Sequence, residues 1–71
     1  MTEQETIKAI GAAIKQARQE CIMTQAEAAK WMGIRQCTMS KIEAGKIIPN
    51  AVQLYVMATV FNVTVDSLLG K

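Results

Sequence analysis

The chain has 71 residues, 51% of them hydrophobic, with one proline and a net charge of +2. That balance fits one small domain, residues 1–71, and excludes a disordered tract. The absence of histidine removes the commonest metal ligand and the commonest general base, and no cofactor is expected. Cys21 and Cys37 form no CxxC pair, which points to a reducing compartment and not to a disulfide framework. The N-terminus, MTEQETIK, lacks the basic and apolar regions of a signal peptide. No apolar run approaches the roughly 18 residues of a membrane span, so no membrane partner and a cytoplasmic location are expected.

Taken in order, the elements read as helices. Thr2 with Glu5 three residues on is a capping-box pattern that opens the first. Ile7, Ile10, Ile14, Ala17 and Cys21 recur at helical spacing, which predicts a buried face containing Cys21. Thr24 and Glu27 repeat the box and open a second helix, with Ala28, Ala29 and Met32 inward. Gly33 is placed to end it in the left-handed conformation. Trp31 lies off that inner stripe and is expected to pack partly against the first helix. Ile34 fills the corner, and a third helix runs from about Gln36 to Glu43 with Met39 and Ile42 inward, ended by Gly45. Asn50 and Gln53 cap a fourth helix from Ala51 to Phe61, closed by Asn62, with Leu54, Met57, Ala58 and Phe61 inside. Thr64 caps a short fifth turn containing Leu68. Helix, tight glycine turn and helix make a helix-turn-helix.

Charge gathers on that unit. Between Lys30 and Lys46 stand four cations, Lys30, Arg35, Lys41 and Lys46, against Glu43 alone, a net of +3. From Ile47 to Gly70 the only charge is Asp66. A basic, polar segment is followed by an apolar one.

The stretch TQAEAAKWMGIRQCTMSKIEAGKIIPN resembles the helix-turn-helix of phage repressor and Cro-type regulators, the XRE-like family. The similarity spans roughly Ile10 to Leu69. It rests on Thr24–Gln25, Ala29, Gly33–Ile34, Ser40, Glu43, Gly45, Pro49, Leu54, Ala58 and Phe61. The resemblance implies an all-α, five-helix, lambda-repressor-like fold and a pair between Arg18 and Glu43. It also implies a bacterial or phage-encoded protein, at the nucleoid when bound. Three positions depart from the family pattern. Ile22 stands where a glycine commonly ends the first helix, which predicts a turn built differently. Ala28 stands where leucine is usual, and Arg35 replaces the usual Ser or Thr cap of the third helix, a loss of about 1 kcal/mol.

On a reading helix only side chains near the N-terminus of the outer face reach base edges. Here those are Gln36, Cys37 and Lys41, with Thr38 on the flank, as candidate base contacts. Glutamine suits adenine and lysine suits guanine, while Cys37 can touch a thymine methyl. Reactivity at Cys37 would need a lowered pKa that the sequence does not show. Gln25, at a helix N-terminus, is a candidate phosphate contact, as are Arg35, Lys46 and Lys30. Charge alone would equally fit a solvated face; the helix-turn-helix spacing favours DNA. On the fourth helix Val52, Val56 and Val60, spaced by four beside Tyr55, form a second apolar stripe and a candidate homodimer interface.

The expected function is therefore sequence-specific binding of double-stranded DNA, with a palindromic operator, by a dimeric transcription regulator acting as a repressor. The alternative is an antitoxin or controller subunit whose main partner is another protein. No ligand-binding domain is apparent, and paired catalytic carboxylates, a phosphate loop and a nucleophile elbow are all missing, which argues against an enzyme.

Overall fold

The computed structural model describes residues 2–69, and among them the chain is helical throughout: α1 (Glu3–Glu20), α2 (Gln25–Met32), α3 (Gln36–Glu43), α4 (Ala51–Phe61) and α5 (Val65–Leu68). Local chemistry starts three of these helices in the same way. The side-chain oxygens of Thr2, Thr24 and Asn50 accept the backbone N–H three residues on, at 3.1, 3.1 and 2.8 Å. Glu5, Glu27 and Gln53 accept the cap N–H in return. Each box satisfies two donors that a helix start leaves unpaired and is worth about 1 kcal/mol. Thr64 caps α5 through Ser67 N–H at 3.1 Å. Arg35 begins α3 with no side-chain cap bond, as its chemistry predicts.

The ends are as specific as the starts. Gly33 closes α2 in the left-handed region at φ 71°, and Asn62 closes α4 at φ 55°. At α3 the cap residue is Ala44, and Gly45 follows it at φ 75°, two residues beyond the last helical residue, Glu43.

The core is aliphatic: Ile14, Met39, Ile42, Met57 and Leu68 are its largest fully buried side chains, joined by Ile10, Ala17, Ala28, Ala29, Ala58 and Phe61. Every helix contributes to it. Two glycines allow backbones to meet. A Cβ at Gly11 would stand 2.5 Å from the Ile42 carbonyl oxygen, and one at Gly45 would stand 2.9 Å from Lys8 Cα. Gly11 thus seats α1 directly on the C-terminal turn of α3. No helix among the described residues is long and apolar enough to cross a membrane.

Three expectations about packing are corrected. Cys21 is exposed, because α1 ends at Glu20 and Arg18, one turn after Ile14, takes the inward position instead. The Cys21 thiol donates to the Phe61 carbonyl at the end of α4, at 3.3 Å. Trp31 is 70% exposed and does not shelter against α1; it borders Met23, Thr59 and Val60 on one side and Glu27 and Lys30 on the other. The small Ala28 and Ala29 draw α2 in along their own face and leave Trp31 at its edge. The turn at Ile22 is built as a glycine would build it. Ile22 adopts φ 56°, where its β-branched side chain is strained, and remains 91% exposed.

Candidate nucleic-acid interface

The α2–α3 unit is registered from beneath by a buried ion pair. Arg18 of α1 donates through Nε and Nη2 to the two carboxylate oxygens of Glu43, at 2.7 and 3.0 Å. Both side chains are almost wholly buried, so the fork-to-fork geometry is what makes their burial tolerable. The remaining guanidinium nitrogen, Nη1, donates to the Met23 carbonyl at 2.6 Å, just ahead of the α2 cap. Gln25, the first residue of α2, donates its side-chain Nε2 to Glu43 Oε1 at 3.1 Å. One cluster therefore joins the end of α1, the α1–α2 turn, the start of α2 and the end of α3. No buried side-chain nitrogen or oxygen among the described residues lacks a partner.

Met39 and Ile42 pin the inner side of α3 in the core, which turns Gln36, Cys37, Ser40 and Lys41 to solvent, with Thr38 half-buried on the flank. None of these five side chains is hydrogen-bonded within the described residues, so their polar groups remain open to an incoming partner. Lys30, Arg35, Lys41 and Lys46 are exposed as well, and Arg18–Glu43 is the sole ion pair among the described residues. The cations thus keep an uncompensated charge on the α2–α3 side. The start of α3 adds to it, since its first turn carries neither a capping side chain nor an acid.

Gln25 is only partly exposed and is engaged with Glu43, a bond that sequence reasoning did not anticipate because the partners lie 18 residues apart. Arg18 and Glu43 were foreseen through family resemblance alone. On α4 the expected stripe divides. Val52 and Tyr55 are 72% and 69% exposed, Val56 is half-buried, and Val60 packs against the core. Ile48, three residues before α4, is also exposed.

The comparisons with known proteins agree with this architecture. The family model described as Helix-turn-helix (HTH_3) matches residues 14–68. A search of curated proteins finds no match. Among solved structures the chain is similar to the restriction-modification controller protein C.AhdI from Aeromonas hydrophila. The TM-score is 0.81 at 18% identity, over 87% of this chain and 94% of that one. It is also similar to an HTH_3 family transcriptional regulator from Vibrio cholerae, with a TM-score of 0.84 at 17% identity. That match covers 97% of this chain but 39% of the regulator, which is much the longer protein. At these identities the likeness to the two structures is one of fold, whereas the family match spans most of the chain. The chain belongs to the helix-turn-helix family of XRE-like, DNA-binding transcription regulators.

Proposed function

We propose that the protein binds a specific double-stranded DNA site as a homodimer and represses by occupying it. The carrying observation is the outer face of α3, where Gln36, Cys37 and Lys41 project from a helix fixed on its other side by Met39 and Ile42. In the major groove Gln36 pairs with adenine and Lys41 with guanine, while Cys37 and Thr38 meet neighbouring apolar or polar edges. Arg35, Lys46 and Lys30, with Gln25 at the start of α2, take phosphates on either side. Val52, Tyr55 and Val56 form the twofold contact, with Val60 at its inner margin. That contact sets two reading helices about one DNA turn, roughly 34 Å, apart on a palindromic site.

Selection of bound sites from random duplex DNA supplies the probe, and salt-dependent binding tests the roles. Gln36→Ala should lose about 1–3 kcal/mol at one base position and keep its salt slope. Lys46→Ala should weaken selected and random DNA alike and lower the slope by about one unit. Identical behaviour of the two variants would remove α3 from the groove. Sedimentation of wild type and Val52→Glu tests assembly, because Val52 is open and its replacement spares the core. A wild type that stays monomeric at high micromolar concentration rejects the dimer.

The likeness to a controller protein favours a second reading, in which the same DNA binding serves a restriction or toxin system. A methyltransferase, nuclease or toxin gene beside this one would support it.

A further inference from the structure

We propose that Glu43 is a positioning residue for the DNA backbone contact: it fixes the amide of Gln25 as a bridge between the buried carboxylate and a phosphate. The inference rests on the reading of Gln25 as a phosphate contact. Glu43 can only accept hydrogen bonds when ionised, so the amide nitrogen of Gln25, and not its oxygen, must face it. One of the two amide hydrogens is held by Glu43 Oε1, and the other stays available. A phosphate is likewise acceptor-only, so that second hydrogen is the one it can use.

Charge supports the arrangement. A bare carboxylate behind the contact would repel the phosphate, but Arg18 grips both oxygens of Glu43 and offsets its charge. Placement follows from the same bonds. Arg18 holds Met23, and Glu43 holds Gln25, on either side of the cap residue Thr24. The phosphate end of α2 and the last residue of the reading helix α3 therefore share one carboxylate. Backbone contact and base contact are thereby kept in a single register.

Nuclear magnetic resonance of the free wild-type protein, followed by titration with a duplex selected from random DNA, tests this directly. The Gln25 side-chain amide should be as ordered as the backbone, unlike the amides of exposed Gln16 and Gln19, and should shift on titration. Affinities are then measured for Gln25→Met, Glu43→Asp and the double variant. Glu43→Asp keeps the charge for Arg18 but draws the carboxylate away from Gln25. It should weaken binding several-fold in the presence of Gln25 and have no effect in the Gln25→Met background. A Gln25 amide as mobile as that of Gln16 overturns the proposal, even if Glu43→Asp fails to fold. An equal loss in both backgrounds also overturns it, by showing that Glu43 acts only through the fold. An ordered amide with no loss of affinity in Gln25→Met overturns it through the phosphate contact, leaving the Glu43–Gln25 bond itself intact.

Discussion

Helix α2 is entered and left through two turns that ask the same of the backbone and answer it with different residues. At its end Gly33 takes φ 71°, and a Cβ there would meet nothing within 4 Å. Only the backbone preference matters, and glycine meets it locally. At its beginning Ile22 takes φ 56° with a branched side chain almost wholly in solvent. Nothing local favours that choice. Both turns carry the same local closing bond, Met23 N–H on the Arg18 carbonyl at 3.2 Å and Ile34 N–H on the Ala29 carbonyl at 3.0 Å. The first is held in addition from outside, by the Arg18 guanidinium on the Met23 carbonyl. One turn is specified by its residue and the other is imposed by its surroundings, so a strained conformation persists where a buried network over-determines it.

The largest expected effect comes from removing that network. Arg18→Met leaves Glu43 buried without its cation and releases the Met23 carbonyl. A loss of about 3–5 kcal/mol is expected, a large share of the stability of so small a chain, measured by urea unfolding. If the loss stays under about 1 kcal/mol, the first turn is not imposed by the ion pair. Gly33→Ala comes next. With open space for the methyl group, its cost is conformational alone, about 1–2 kcal/mol. A neutral result would show that the second turn has an alternative geometry.

Ile22→Gly should act in the opposite direction. It relieves about 1–2 kcal/mol of left-handed strain and gives back part of that through the greater freedom of glycine in the unfolded chain. A net gain of roughly 0.5–1 kcal/mol is expected, seen as a raised melting temperature. A drop would mean that the exposed isoleucine makes a contact worth more than its strain.

The smallest effect concerns pH. Bonds from the Thr24 backbone N–H, and then from its hydroxyl, hold the Glu27 carboxyl below its ordinary value of 4.5. A group with a depressed folded-state pKa contributes fully above its unfolded value, and the contribution fades as pH falls through the folded value. Glu27→Gln keeps the capping geometry without a titrating group. Its melting temperature should therefore fall less than that of wild type between pH 5 and pH 3. Parallel curves would show that the first turn of α2 is indifferent to this charge. The carboxyl of Glu5 is shifted in the same direction by Thr2, so a residual slope in the variant is expected from α1.

What could be read from the sequence was what chemistry settles within a few residues. The capping boxes at Thr2, Thr24 and Asn50 and the closures at Gly33 and Asn62 each depend on a side chain and a backbone group that are neighbours in the chain. The limits of α2 and α4 followed from them. Cys21 was misplaced because a stripe extended by spacing ignores where the helix stops, and one turn earlier the inward place belongs to a charged residue whose partner lies 25 positions away. Trp31 was misjudged for a related reason. Its burial depends on how closely α2 and α4 approach, and this is set by the small alanines of α2 and not by Trp31 itself. The outer face of α3 was legible in outline, since the inward Met39 and Ile42 fix which side of the helix looks out. The tie between Gln25 and Glu43 is a property of the assembled helices.

The missing side chain at position 11 acts as a depth gauge. A methyl group there would sit 2.5 Å from the Ile42 carbonyl oxygen, about 0.8 Å inside an ordinary carbon–oxygen approach of about 3.3 Å. Because the obstacle is backbone, relief requires α3 to ride outward from α1 as a body. A hydrogen bond to a base edge tolerates a range of only about 0.5 Å, from roughly 2.7 to 3.2 Å. One carbon atom at Gly11, beneath the inner side of α3, would thus use more than the whole tolerance of the base contacts proposed for Gln36 and Lys41. The height of α3 above α1 is set by an absence in α1.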